Sequence, residues 1–152
     1  MLVPPKKNQY ALRAIFELAK HMNQGPVKIS DIAAAQAIPL RFLEVILNQL
    51  KPSGIVDSKR GFYGGYFMVR PPSQVSVGDV LRFLNRELPT TDCIACVSKT
   101  RCPFNGQCTF SSMWVRVKQA AFTIYDETSF QDLIDREQDT GGQAEHKGGV
   151  LA

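Results

Sequence analysis

The chain has 152 residues, of which 44% are apolar and 21% charged, and its formal net charge is +4. That composition suits one compact domain with an accessory element. No apolar run approaches the roughly 20 residues that span a bilayer, and Met1–Lys7 is Pro- and Lys-rich without the apolar stretch of a signal peptide, so a cytoplasmic, non-membrane protein is expected.

Charge is unevenly placed. Residues 1–70 carry ten Lys/Arg against four acids, a surplus of six, while the remainder is acidic by two. A basic N-terminal half points to an anionic partner, nucleic acid first. All four cysteines fall between positions 93 and 108. In a reducing compartment, such a cluster points to metal or redox chemistry rather than a disulfide framework.

In chain order, Asn8–Met22 reads as a first helix, because Ala11, Ile15, Leu18, Ala19 and Met22 form one stripe at helical spacing. Gln24-Gly25-Pro26 ends it. Ser30 is the expected N-cap of a short second helix, Asp31–Gln36. Ile38-Pro39 breaks the chain, and Pro39 suits the first turn of a third helix running to about Lys51, with Leu43, Ile46, Leu47 and Leu50 inward. Two short helices joined by a tight turn behind a longer one outline a helix-turn-helix, although a trihelical bundle without that function would look alike. Ile55–Lys59 and Tyr66–Arg70 read as two strands, joined by a glycine-rich turn that carries Arg60 near its tip. A hairpin directly after the third helix is a wing.

Ser76 caps a fourth helix, with Asp79 completing a capping box and Val77, Val80, Leu81 and Leu84 as its stripe. Leu88-Pro89 ends that helix. After the cysteine loop, a long helix is expected over 111–125, with Trp114, Val117, Ala121, Ile124 and Tyr125 on one face. So broad a stripe fits burial either against a partner subunit or back on its own domain. Ser129–Glu137 reads as a short last helix, and Gln138–Ala152, Gly-rich and aperiodic, as a disordered tail. The expected organisation is a DNA-binding unit over 1–72, a helix, cysteine loop and long helix over 73–137, and the tail over 138–152. The fold class is mainly α with a small β-hairpin wing: a winged helix-turn-helix plus a long C-terminal dimerisation helix.

The third helix offers Leu40, Arg41 and Glu44 at its N-terminal turn, away from the apolar stripe. That part of a recognition helix reaches base edges in the major groove. There Arg41 can donate to guanine and Glu44 can accept from cytosine. Arg60, at the wing tip, suits a narrow minor groove, which concentrates negative potential. Gly61 and Tyr63 complete the tip, and Gly64-Gly65 would let backbone approach phosphate closely, though a hairpin needs glycine in any case. Lys6, Lys7, Lys28 and Lys59 suit phosphate contacts. Each of these residues taken singly is equally consistent with a solvated surface.

Tyr10-Ala11-Leu12-Arg13, Arg60-Gly61-x-x-Gly64-Gly65-Tyr66, Arg70-Pro71-Pro72, Ser76-Val77-Gly78-Asp79-Val80, the clustered cysteines, Trp114 and Ser129-Phe130-Gln131-Asp132-Leu133 together resemble the Rrf-two family of winged-helix regulators, which includes IscR-, NsrR- and CymR-like proteins. The resemblance covers about residues 8–135. It implies a homodimer joined through the helix at 111–125, an approximately palindromic double-stranded DNA operator, and DNA roles at Arg41, Glu44 and Arg60. One departure is clear: the family wing has small residues where this chain has Phe62-Tyr63, a bulkier tip that changes groove contacts or adds an apolar wedge.

The cysteines follow Cys93-x2-Cys96-x5-Cys102-x5-Cys108. Thiolates select iron–sulfur clusters, zinc or copper(I). A structural zinc site usually shows two close pairs, whereas one is present here, and His21 and His146 lie elsewhere. Spacing alone leaves an iron–sulfur cluster, zinc and redox-active thiols open. The resemblance implies a cluster, [4Fe-4S] or [2Fe-2S], on Cys96, Cys102 and Cys108. Positions where the family places a fourth ligand hold Ser111, Asn8 and Gln9, so Cys93 is the expected fourth thiolate, with a resolving thiol as its other role. No Gly-rich phosphate loop, His-Glu zinc motif or paired carboxylates support an enzyme.

Overall fold

The computed structural model describes residues 4–85, 103–104 and 107–145, with side chains up to 141. Helices α1 (Lys6–Lys20), α2 (Ile29–Gln36) and α3 (Leu40–Leu50) are followed by strands β1 (Val56–Lys59) and β2 (Gly65–Met68), then α4 (Val77–Leu84), α5 (Ser111–Glu127) and α6 (Phe130–Glu145). The two strands pair antiparallel, with Val56 opposite Met68 and Lys59 opposite Gly65.

The apolar stripes do what their spacing requires. Ala11, Ile15, Leu18 and Ala19 of α1 and Leu43, Ile46, Leu47 and Leu50 of α3 are all buried, together with Ile32 of α2. They share one core with Ile55, Val56 and Met68 of the hairpin, Val80 of α4 and Phe130 of α6. The end of the chain thus folds back onto the helix-turn-helix. Backbone bonds reinforce the return: the Val77 N–H donates to the Thr128 carbonyl (2.9 Å) and the Phe130 N–H to the Val75 carbonyl (3.1 Å).

Several boundaries differ from their local signals. α2 begins at Ile29 with Lys28 at the N-cap position, and Ser30 lies inside the helix. The cause is long-range. Val27 and Tyr66 exchange two backbone hydrogen bonds of 2.8 Å, which hold the chain extended up to Lys28, so the helix starts at the next residue. Pro39 stands at the N-cap of α3 rather than in its first turn. The sharp turn between α2 and α3 is made by Ala37 in the left-handed region, φ 51°, where a non-glycine residue is uncommon.

α4 begins with the expected capping box: the Asp79 N–H donates to Ser76 Oγ (3.1 Å) and the Ser76 N–H to Asp79 Oδ2 (3.0 Å). Ser129 and Asp132 repeat this arrangement at the start of α6, at 2.8 and 3.1 Å. With Phe130 anchored behind that cap, α6 continues to Glu145, so residues 138–145 extend the helix where an aperiodic tail was expected. The Leu88-Pro89 stop lies outside the described residues.

A polar cluster ties α1, α2 and α6 together. Buried Glu17 accepts from Gln36 Nε2 (2.7 Å) and from Lys20 Nζ (3.1 Å), and Lys20 also reaches Glu137 (3.4 Å). Burial alone would raise the Glu17 carboxyl. The bonds from Gln36 and Lys20, with the charges of Lys20 and His21, outweigh it and hold the pKa below its ordinary value. A depressed carboxyl contributes stability that is full above its unfolded value, about 4.5, and is lost as pH falls through the lowered one. Stability of the parent in denaturant should therefore fall as pH drops below that value, and Glu17→Gln should flatten the dependence. An unchanged pH slope in the variant refutes the assignment.

Candidate nucleic-acid interface

α3 turns its apolar stripe inward, so the N-terminal half of its other face stands in solvent. Leu40, Arg41 and Glu44 are all exposed there, as expected. The same face carries two apolar residues that local pattern did not single out, Phe42 (62% exposed) and Val45 (54%). A mixed face of this kind suits a major groove, in which thymine methyl groups stand beside hydrogen-bonding edges. An excess of apolar residues over the period of the core stripe was the signal available for finding them.

The wing follows α3 at once, and Tyr66 of β2 meets the residue that ends that helix. Lys51, just after α3, holds its ammonium 5.5 Å from the Tyr66 ring centre. Burial, and then the negative charge of Glu44, push the Tyr66 hydroxyl pKa up. Lys59, Arg60, Gly61, Phe62 and Tyr63 are exposed at the hairpin tip. Lys28 is also exposed and reaches the wing from the start of α2, its ammonium 5.5 Å from the Phe62 ring centre. Lys28, Lys59 and Arg60 therefore surround one protrusion. Lys6 and Lys7 are exposed on the first turn of α1.

The glycines of the wing serve the fold. A Cβ on Gly64 would lie 2.1 Å from the Lys59 carbonyl oxygen, and one on Gly65 would lie 2.3 Å from the Val27 carbonyl oxygen. The absent side chains thus face the protein's own backbone. Close packing of the wing on itself and on Val27 accounts for both glycines without a phosphate. Gly78 has a similar reason: a Cβ there would meet Asp126 Oδ1 at 1.9 Å. Asp126 is the α5 carboxylate that receives both guanidinium nitrogens of Arg82 of α4, at 2.5 and 2.6 Å. The Arg82 hydrogen bonds hold the Asp126 carboxyl below the ordinary range. This α4–α5 clasp depends on two residues 44 apart, which no short motif reveals.

Of the four cysteines, Cys108 is described. Its thiol is free and partly buried, and its carbonyl accepts from the Ser111 N–H (3.0 Å) at the first turn of α5. Cys93, Cys96 and Cys102 lie outside the described residues. Among the described residues, no group of three or more candidate metal ligands comes together, and no helix is long and apolar enough to cross a membrane. α5 packs on α4 yet buries none of its 17 residues. Ile124 is 64% exposed, and Met113 and Val115 are exposed as well.

A tight helix pair, α2 and α3, behind a longer first helix and followed at once by a paired hairpin, defines a winged helix-turn-helix. The chain belongs to the Rrf2 family, whose model, described as "Iron-dependent Transcriptional regulator", matches residues 5–136. It is similar to a putative HTH-type transcriptional regulator of Mycobacterium tuberculosis, 34% identical over 128 residues, covering 84% of this chain and 78% of that protein. It is 27% identical to the HTH-type transcriptional regulator IscR of Xenorhabdus nematophila over 132 residues, covering 87% and 79%. Among solved structures, CymR, the global cysteine regulator of B. subtilis, matches with a TM-score of 0.70 at 30% identity, covering 90% of this chain and 98% of that one. IscR of T. potens matches with a TM-score of 0.69 at 26% identity, covering 99% and 93%. The chain is a transcriptional regulator of this DNA-binding family, and its relatives are regulators rather than enzymes.

Proposed function

We propose that the protein is a homodimer that binds a pseudo-palindromic operator in double-stranded DNA, and that the cysteine loop modulates this binding by holding an iron–sulfur cluster. The observation that carries the DNA reading is the cationic wing, where Lys28, Lys59 and Arg60 gather at one exposed tip, following directly on α3, whose N-terminal half exposes Leu40, Arg41 and Glu44. In this reading Arg41 and Glu44 contact base edges, with Leu40 against them. Arg60 enters the flanking minor groove, Gly61, Tyr63, Gly64 and Gly65 shape the wing that carries it, and Lys28 and Lys59 meet phosphates. The exposed apolar face of α5 is the dimer contact, which sets the separation of the two recognition helices and hence of the half-sites.

The donor chemistry fits a cluster. Four thiolates lie within sixteen positions, and Cys108 is an unpaired thiol just before α5. Cys93, Cys96, Cys102 and Cys108 would hold it, as [4Fe-4S] or [2Fe-2S]. When bound, such a group supplies a centre sensitive to oxidants and iron supply. Cys108 sits three residues before α5, so a change of ligation at its sulfur acts at the first turn of the proposed dimer helix. Likeness to CymR, including an oxidised form from Staphylococcus aureus, supports a second reading in which these cysteines act as thiols without a cluster; zinc on the same thiols is the other form that reading takes.

One preparation tests both. Anaerobically purified protein should show a broad visible absorption band that Cys108→Ala abolishes, and loaded and apo protein should bind a selected operator with different affinities. Arg60→Ala should weaken binding about tenfold with an unchanged melting temperature. A featureless spectrum overturns the cluster reading, and an Arg60→Ala variant that binds as tightly as the parent overturns the wing assignment.

A further inference from the structure

We infer that Phe62 and Tyr63 form an aromatic wedge that enters the minor groove beside the half-site and opens a base step there. This rests on the operator-binding reading and adds to it a second, apolar mode of sequence discrimination. The two rings are 81% and 86% exposed, more than any other large apolar side chain among the described residues. They stand edge to face, with centroids 5.0 Å apart, at the outermost point of the hairpin. Nothing in the fold of the hairpin requires them. The turn is closed by the Gly64 N–H donating to the Gly61 carbonyl (3.0 Å) and by the tight packing of Gly64 on Lys59, and polar residues at 62 and 63 would leave both intact.

The surroundings select the occupant. Lys28 lies over the Phe62 ring, and Lys59 and Arg60 are exposed on the same tip. The rim of the two rings is cationic and complements phosphates on both sides of a narrow groove. The backbone bonds between Val27 and Tyr66 tie the base of the wing to the start of α2, the first helix of the helix-turn-helix. Apolar side chains placed in this way between base steps unstack them and kink the duplex toward the major groove. Pyrimidine–purine steps yield most easily, so the wedge reads deformability at a position that no hydrogen bond contacts.

The test uses the full chain and a random-sequence duplex library. The parent should select duplexes with a pyrimidine–purine step at a constant distance outside each half-site. With 2-aminopurine placed at that step, its fluorescence should rise on binding. Phe62→Ala/Tyr63→Ala should keep the half-site preference and the parent's melting temperature, lose the step preference and the fluorescence rise, and bind about tenfold more weakly. Phe62→Leu/Tyr63→Leu, still apolar, should retain part of the rise. A double-alanine variant that selects the same flanks, gives the same fluorescence and binds equally well overturns the wedge alone. A parent that enriches no duplex overturns the operator-binding reading with it.

Discussion

Phe130→Ala should lower unfolding free energy by about 3–5 kcal/mol, a sizeable share of the roughly 5–15 kcal/mol that holds a domain of this size folded. Phe130 is fully buried and is the largest of the completely enclosed side chains. It lies in the same cluster as the inward residues of α1, α2 and α3. Its removal would leave a cavity where the C-terminal helix meets the helix-turn-helix. The backbone on either side is fastened by the Val77–Thr128 and Phe130–Val75 hydrogen bonds, so the site cannot simply collapse to fill the space. The loss should therefore lie near the upper end for this type of substitution. Urea denaturation followed by circular dichroism reads it directly. A change below 1 kcal/mol would mean that α6 is not docked as described. Its consequence would reach DNA binding, because α6 packs on α1, which in turn packs on α3.

What could be read in advance was whatever repeats within a few residues. The stripes of α1 and α3 came from a period of 3.6, and their inward residues are buried with the exception of Met22, which is partly covered. The Ser76–Asp79 capping box was visible because both partners fall within one turn. Features set by distant partners were not visible. The start of α2 depends on the Val27–Tyr66 bridge, the glycine at 78 on Asp126, and the buried position of Glu17 on Gln36. The length of α6 was hidden by Gly141-Gly142, whose composition favours a chain end, while the cap and anchor at its start were each present as single residues. The candidate interface was half visible for the same reason. Exposed charges at Arg41, Glu44 and Arg60 announce themselves by type, whereas Tyr66 matters through where it sits.

The three glycines of the wing should respond to alanine in a definite order, because each departs from ordinary geometry in a different way. Gly61 has φ +115°, and a Cβ there meets nothing within 4 Å, so Gly61→Ala brings backbone strain alone, about 1–3 kcal/mol. Gly64 has no left-handed φ, yet its Cβ would stand 2.1 Å from the Lys59 carbonyl oxygen and 2.9 Å from the Arg60 carbonyl carbon. Gly65 combines both problems: φ +156°, and contacts of 2.3 and 2.6 Å with the Val27 carbonyl. Backbone cannot retreat as a flexible side chain can. Gly65→Ala must therefore push β2 off Val27 and break the reciprocal 2.8 Å bonds between Val27 and Tyr66. Two lost backbone bonds at about 0.5–1.5 kcal/mol each, added to the strain, give roughly 2–6 kcal/mol. The displaced element is also the one that sets the wing against α2 and α3, so Gly65→Ala should reduce operator affinity more than its stability loss accounts for, by well over tenfold at a temperature where the variant stays folded. Gly61→Ala should leave affinity within a few fold of the parent. Thermal melts and duplex titrations of the three variants check the order. If Gly65→Ala binds as well as Gly61→Ala, the bridge to Val27 does not position the wing.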